Sequence, residues 1–270
     1  MSAALGASDR PVRFGVLTDL HSADLDARGD RFYRASLGKL RAAVAVFNTE
    51  PLDFVIQLGD FIDAGATVPA ELAHLQAAEA VYAQARAPRH YVLGNHCVWG
   101  LTKDQFRAHS AARPGPYAFD VNGWHFVVLD ACFRGDGMAY GAKNFEWSDS
   151  EVPAAQRDWL ARDLAAAAGP AVVFVHQRLD ADPPYGVRSA RAVREILSAS
   201  GKVRAVFQGH QHVNERRDLD GVAYLTLEAA IEGGEEASQA YGLVTCSASA
   251  VEVAGRLRQA SHRVEFRAAP

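Results

Sequence analysis

The chain has 270 residues, 49% hydrophobic and 22% charged, which is the composition of a large folded α/β domain and excludes a disordered segment. Its formal net charge of -4 excludes a dedicated nucleic-acid coat, because phosphate-backbone binding needs clustered positive charge. Met1–Arg10 has no signal-type apolar core, no apolar run is long enough for a bilayer, and Cys97, Cys132 and Cys246 are too few and too scattered for a disulfide framework. These features lead us to expect a cytoplasmic, single-domain protein spanning residues 1–270, bound neither to a membrane nor stably to nucleic acid.

Val12–Leu17 is an apolar run bounded by Pro11 and Asp19 and reads as a strand. Tyr33, Leu37, Leu40, Val44 and Phe47 then recur at helical steps, with Asp30 as the expected N-cap. Phe54–Ile56 is a short buried strand that stops at Gly59. Pro69 opens a second helix carrying Leu72, Leu75 and Tyr82, and Tyr91–Leu93 is a third strand ending at Gly94. Thr102 and Gln105 have capping-box spacing. Tyr117–Val121 and Trp124–Leu129 flank Asn122-Gly123, the left-handed pair a tight hairpin needs.

Arg134–Ser150 is polar and Gly-containing and reads as a long loop. Pro153–Ala168 and Ser189–Ser200 read as helices, and Ala171–Val175 and Val203–Phe207 as strands. The remainder is β-rich, with strands at Val222–Leu227, Tyr241–Cys246, Val251–Val253 and Val264–Phe266. The βαβ alternation of the first half calls for parallel pairing and the β-rich end for antiparallel pairing. The expected fold class is α/β, with two packed mixed β-sheets flanked by helices.

Polar clusters stand where the strands stop: Asp19-Leu20-His21, Gly59-Asp60-x-x-Asp63, Gly94-Asn95-His96, His176, and Gly209-His210-Gln211-His212. In open α/β sheets the carboxyl ends of strands are where ligands bind. Carboxylate and amide oxygens with imidazole nitrogens, and no thiolate, suit Mn, Fe or Zn ions. The donors are too nitrogen-rich for a Ca²⁺ or Mg²⁺ cage and too many for one tetrahedral metal. Two metals sharing one carboxylate, roughly 3.5–4 Å apart, use the whole set.

Asp-x-His, Gly-Asp-x-x-Asp, Gly-Asn-His, a lone His and Gly-His-x-His, in this order over Val12–His212, resemble the calcineurin-like metallophosphoesterases. The resemblance implies a sandwich of two mixed sheets and a phosphoesterase using two metal ions. It implies that Asp19, His21 and His212 hold one ion, that Asn95, His176 and His210 hold the other, and that Asp60 bridges them. A hydroxide between the metals would attack phosphorus, His96 would protonate the leaving oxygen and Asp63 would orient His96. Further residues, including Asp24-Leu25, Arg31-Phe32-Tyr33-Arg34, Gln57-Leu58-Gly59-Asp60 and Gln156-x-x-Trp159-Leu160, resemble manganese-dependent ADP-ribose/CDP-alcohol diphosphatases. That implies phosphodiester or pyrophosphate bonds of small nucleotide-like substrates; the alternatives are a broad phosphomonoesterase, a cyclic-nucleotide phosphodiesterase or a non-catalytic scaffold. Cys97 departs from the family, which has an acidic residue there, and puts the surroundings of His96 in question.

Other residues are read more plainly. His74, His90, His109, His125 and His262 match no motif and are expected to be structural, and the three cysteines to be core. Arg31 and Arg34 are expected on a solvated helix start, with Arg28 left open between that and a phosphate contact. For Tyr140, Asn144, Phe145 and Trp147, a pocket wall and packing over the sheet edge weigh equally.

Overall fold

A computed structural model describes residues 10–266. Two six-stranded sheets pack face to face. The first runs β12 (His262–Glu265), β11 (Ala250–Leu257), β10 (Ala240–Cys246), β1 (Val12–Leu17), β2 (Phe54–Gln57), β3 (Arg89–Tyr91). The second runs β4 (Tyr117–Val121), β5 (Trp124–Val128), β6 (Ala171–Phe174), β7 (Val203–Gln208), β9 (Val222–Thr226), β8 (Glu215–Leu219). β1, β2 and β3 are parallel, as are β5, β6, β7 and β9, while β10–β12, β4 and β8 pair antiparallel. Both sheets are therefore mixed, as expected.

Alternating side chains explain the layering. Phe14 and Phe54 stack at 4.7 Å from the first sheet, and Phe126, Phe174 and Phe207 meet Phe14 edge-on from the second. The opposite face of the first sheet is covered by α1 (Ser36–Phe47) and α2 (Val68–Tyr82) through Leu40, Val44, Leu75 and Tyr82. The opposite face of the second is covered by α4 (Ala154–Ala166) and α5 (Ala190–Ala199) through Leu160, Leu164, Val193 and Leu197. The Thr102–Gln105 capping box opens α3 (Lys103–Ala108). Asn122 and Gly123, with φ of 47° and 83°, make the β4–β5 turn.

Some elements depart from expectation. Asp30 does not cap α1; Arg28 and Arg31 exchange backbone hydrogen bonds across a tight turn, and a 3₁₀ turn at Tyr33–Ala35 leads into the helix at Ser36. β3 lies two residues earlier than expected, because the polar His90 is a strand residue, stacked on Phe119 at 3.8 Å. β8, Glu-Arg-Arg-Asp-Leu, was not expected as a strand at all. It is a charged edge strand, which is how a sheet discourages further pairing. No helix among the described residues is long and apolar enough to cross a membrane.

His125 is structural, as expected, and ties three elements together. From β5 it reaches Asp120 on β4 and Asp163 on α4, each at 2.7 Å. Burial pulls its pKa down, but the two carboxylates outweigh that and raise it. A raised folded-state pKa gives stability that is full below the unfolded value of about 6.5 and is lost as pH rises through the folded value. The melting-temperature gap between the native chain and His125→Leu should therefore be widest below the unfolded value of about 6.5 and shrink as pH rises through the raised folded-state value. A gap independent of pH would mean that packing, not charge, holds this corner.

Candidate functional site

The strand ends converge on one cleft at the carboxyl edge of the two sheets. Asp19 and His21 follow β1, Asp60 and Asp63 follow β2, Asn95 and His96 follow β3, His176 follows β6, and His210 and His212 follow β7. His21, Asp60, Asn95, His96, His210 and His212 line an opening of about 220 Å³, together with Arg31, Trp147 and Tyr185. Asp19 and His176 are fully buried at its base.

The local backbone is unusual. Asp19, His21, Asp60, His210 and His212 all have positive φ, between 46° and 73°. Such conformations cost on the order of 1–3 kcal/mol each and persist only where the surroundings over-determine them. Glycine makes the close approach possible: a Cβ at Gly94 would overlap the Asp60 backbone and carboxylate, and one at Gly209 would overlap Thr18 and Asp19.

The donor atoms form two adjoining groups. In the first, His212 Nε2 lies 3.3 Å and His21 Nε2 3.7 Å from Asp19 Oδ1, and the two imidazole nitrogens are 3.2 Å apart. In the second, His176 Nε2 lies 3.1 Å from Asp60 Oδ2, with His210 alongside. Asp60 Oδ2 is also 3.6 Å from His21 Nε2, so this carboxylate stands between the groups. Asn95 Oδ1, His176 Nε2 and His210 Nε2 are buried with no hydrogen-bond partner. Orphaned buried polar atoms are rare in native proteins; Asn95 and His210 line the same cleft, His176 lies beside Asp60, and this set of oxygen and nitrogen donors fits a metal ion.

Each of three imidazoles is fixed through its other nitrogen, leaving Nε2 facing inward. His21 Nδ1 is 2.9 Å from Asp63 Oδ2, His176 Nδ1 is 2.9 Å from Leu58 O, and His212 Nδ1 is 3.3 Å from Glu232 Oε1. Asp19 is set by the Thr18 hydroxyl at 2.6 Å and by the His210 N–H at 3.0 Å.

The electrostatics follow. Burial pushes Asp19 and Asp60 up, but the surrounding imidazoles outweigh it and hold both carboxyls well below the ordinary range. Burial likewise lowers His212, yet Asp19 and Glu232 raise it to about 9. His210, next to His176, is pushed down to about 3 by burial and that neighbour.

His96 borders the first group, its ring 4.6 Å from that of His21, and shares a third cluster with His21 and Asp63. Its Nδ1 is 2.9 Å from Asp63 Oδ1, and its backbone N–H donates to Asp60 Oδ1 at 2.8 Å. Asp63 thus serves two histidines, His21 and His96, where only His96 was anticipated. Burial lowers the His96 pKa, but Asp60 and Asp63 more than offset this and raise it. Cys97 turns into the core, where its Sγ accepts the Phe61 N–H at 3.3 Å and burial pushes the thiol up to about 12. The surroundings of His96 are therefore set by Asp63 and not by residue 97.

Three residues of the cleft escaped the sequence reading. Arg31 was placed on a solvated helix start, but it lies in the tight turn before α1 and lines the cleft; Arg34 is the exposed one, paired with Asp24 and Asp26. Glu232 and Tyr185 come from loops with no motif. In the 134–150 loop the two weighed roles divide. Tyr140 and Phe145 stack on each other at 3.8 Å in the core and Asn144 braces the loop, while Trp147, 40% exposed, faces the cleft.

The chain belongs to the calcineurin-like phosphoesterase family, whose model matches residues 12–214. A rice (Oryza sativa subsp. japonica) manganese-dependent ADP-ribose/CDP-alcohol diphosphatase is 28% identical, covering 81% of this chain and 83% of that protein. A Danio rerio protein of the same name is 25% identical, covering 83% of this chain and 89% of its own length. Among solved structures, a dimetal phosphatase from Danio rerio superposes with a TM-score of 0.84 at 20% identity, covering 96% of this chain and all of that one, which extends the likeness to the whole fold.

Proposed function

We propose that this chain is a two-metal phosphohydrolase that cleaves phosphodiester or pyrophosphate bonds in small nucleotide-like substrates. The observation that carries the reading is the set of orphaned atoms on Asn95, His176 and His210 in the cleft shared with Asp60, beside the group of Asp19, His21 and His212. Asp19, His21 and His212 would hold one cation, Asn95, His176 and His210 the other, and Asp60 both. Bound there, such a pair polarises phosphoryl oxygens and makes water a competent nucleophile at neutral pH. Manganese is supported by the names of the rice and Danio rerio relatives, and Fe or Zn suits the same donors.

The chain's own groups supply the rest. His96, whose pKa Asp60 and Asp63 raise, donates its proton to the departing oxygen, and Asp63 fixes the ring. Arg31 on one rim offers a forked donor to a second phosphate, and the exposed ring faces of Trp147 and Tyr185, 5.5 Å apart, offer an aromatic surface to the remainder of the substrate. β10, beyond the matched segment, pairs directly with β1, which supports reading the whole chain as one domain.

The test is turnover with Mn²⁺ across ADP-ribose, CDP-alcohols, cyclic AMP, and p-nitrophenyl mono- and diesters. Hydrolysis of the pyrophosphates and diesters is expected. Turnover of monoesters alone would make the enzyme a phosphomonoesterase, and a chain that binds no metal and turns over nothing would be a scaffold.

A further inference from the structure

Behind the cleft lies a buried ionic cluster that the proposed chemistry does not use. Arg178, two residues after His176, is 1% exposed. Its Nε and Nη2 meet Asp180 Oδ1 and Oδ2 at 2.9 and 2.8 Å, and Nη2 lies 2.6 Å from Glu215 Oε2 at the start of β8. The remaining arm, Nη1, donates to the side-chain oxygen of Gln211. Gln208, the last residue of β7, accepts the Leu179 N–H at 3.0 Å and donates to Asp180, which locks the same two loops together from below.

The location of Gln211 gives this cluster its meaning. It is the residue between His210 and His212, and both histidines have left-handed backbones, with φ of 73° and 58°. A three-residue stretch holding two such conformations relaxes unless its side chains are anchored. The Gln211 carbonyl on a guanidinium that is itself pinned by two carboxylates is a rigid anchor, since the planar fork has little freedom left to lose. The Arg178 backbone N–H also donates to Tyr185 O at 3.2 Å, so one residue fixes the rim loop as well.

We propose that Arg178 is a positioning residue that, through Gln211, holds the His210–His212 segment in the strained backbone that aims both imidazoles at the Asp19–Asp60 centre. The proposal rests on the two-metal reading. Both ions, one held through His212 and the other through His210, should feel the loss of the anchor, although neither Arg178 nor Gln211 is a ligand.

The experiment is equilibrium titration of the metal-free chain with Mn²⁺, read by calorimetry or by the free-ion paramagnetic resonance signal, with no turnover involved. Gln211→Ala leaves Arg178 paired with Asp180 and Glu215, so the fold should hold, with Tm moving less than about 4 °C. Its weaker Mn²⁺ site should lose affinity by about 10-fold or more, as for other groups that orient metal ligands. Arg178→Lys, which cannot fork, should show the same loss, and the double variant should lose no more than Arg178→Lys alone. A folded Gln211→Ala chain that binds Mn²⁺ like the native one overturns the proposal, as do fully additive losses. Should Arg178→Lys fail to fold, Gln211→Ala alone decides. A native chain that binds no Mn²⁺, Fe or Zn would instead sink the two-metal reading, which keeps the two failures distinct.

Discussion

Asp60→Asn is expected to cost the chain at least one metal ion and nearly all of its turnover. The side chain reaches both donor groups, 3.6 Å from His21 Nε2 and 3.1 Å from His176 Nε2, and comes nearer to His176 than Asp19 does at 3.9 Å. Burial alone would raise its pKa, but the neighbouring imidazoles of His176, His96 and His21 outweigh it and hold the carboxyl well below the ordinary carboxylate range. An amide of the same size keeps the packing against Gly94 but removes the charge and turns one acceptor atom into a donor. Groups that merely orient ligands cost about 10–100-fold when removed, so loss of a shared ligand should exceed 100-fold in turnover. Elemental analysis after Mn²⁺ incubation gives the metal content, and circular dichroism checks the fold. Two ions retained with substantial activity would remove Asp60 from the bridging position.

How much of this was legible in the sequence depended on where each residue falls relative to a strand. Asp19, Asp60, Asn95, His176 and His210 each come within a few residues of an apolar run's end, and parallel strands deliver their carboxyl ends to a common edge. The convergence is therefore readable from the sequence. Glu232 and Tyr185 sit on loops between elements, and their nearness to His212 and His210 is a product of tertiary folding that local pattern does not carry. Arg31 was misjudged for a related reason. Gly29, at φ 57°, allows residues 28–31 to close a tight turn, which delays the helix and turns Arg31 toward the cleft. β8 was missed because Glu215–Leu219 has no apolar alternation, although Asp220-Gly221, with φ of 53° and 80°, is the turn pair that marks a hairpin. The second role of Asp63 was hidden by its spacing to His96, since the sequence offers no sign that one carboxylate's two oxygens reach two different rings.

The sharing of Asp63 makes His96→Ala the more discriminating variant for the chemistry. Removing Asp63 would loosen His21 as well as His96, whereas removing the His96 ring leaves Asp63 on His21 at 2.9 Å and both donor groups intact. Metal content should therefore stay near native. General acid–base catalysis typically supplies about 10²–10⁴-fold, and the benefit is greatest when the leaving oxygen is strongly basic. Substrates with alkoxide leaving groups should lose most of that factor, while p-nitrophenyl esters, whose leaving anion is already stable, should lose little. The pH profile gives a second readout. His96 must be protonated to act, and its pKa is raised, so native turnover of alkyl esters should fall as pH rises through that value. In His96→Ala this limb should flatten. Equal losses on both leaving groups with both metals bound would assign His96 to holding substrate or to stabilising charge. Loss of a metal would place it among the ligands, with Asp63 then orienting two of them.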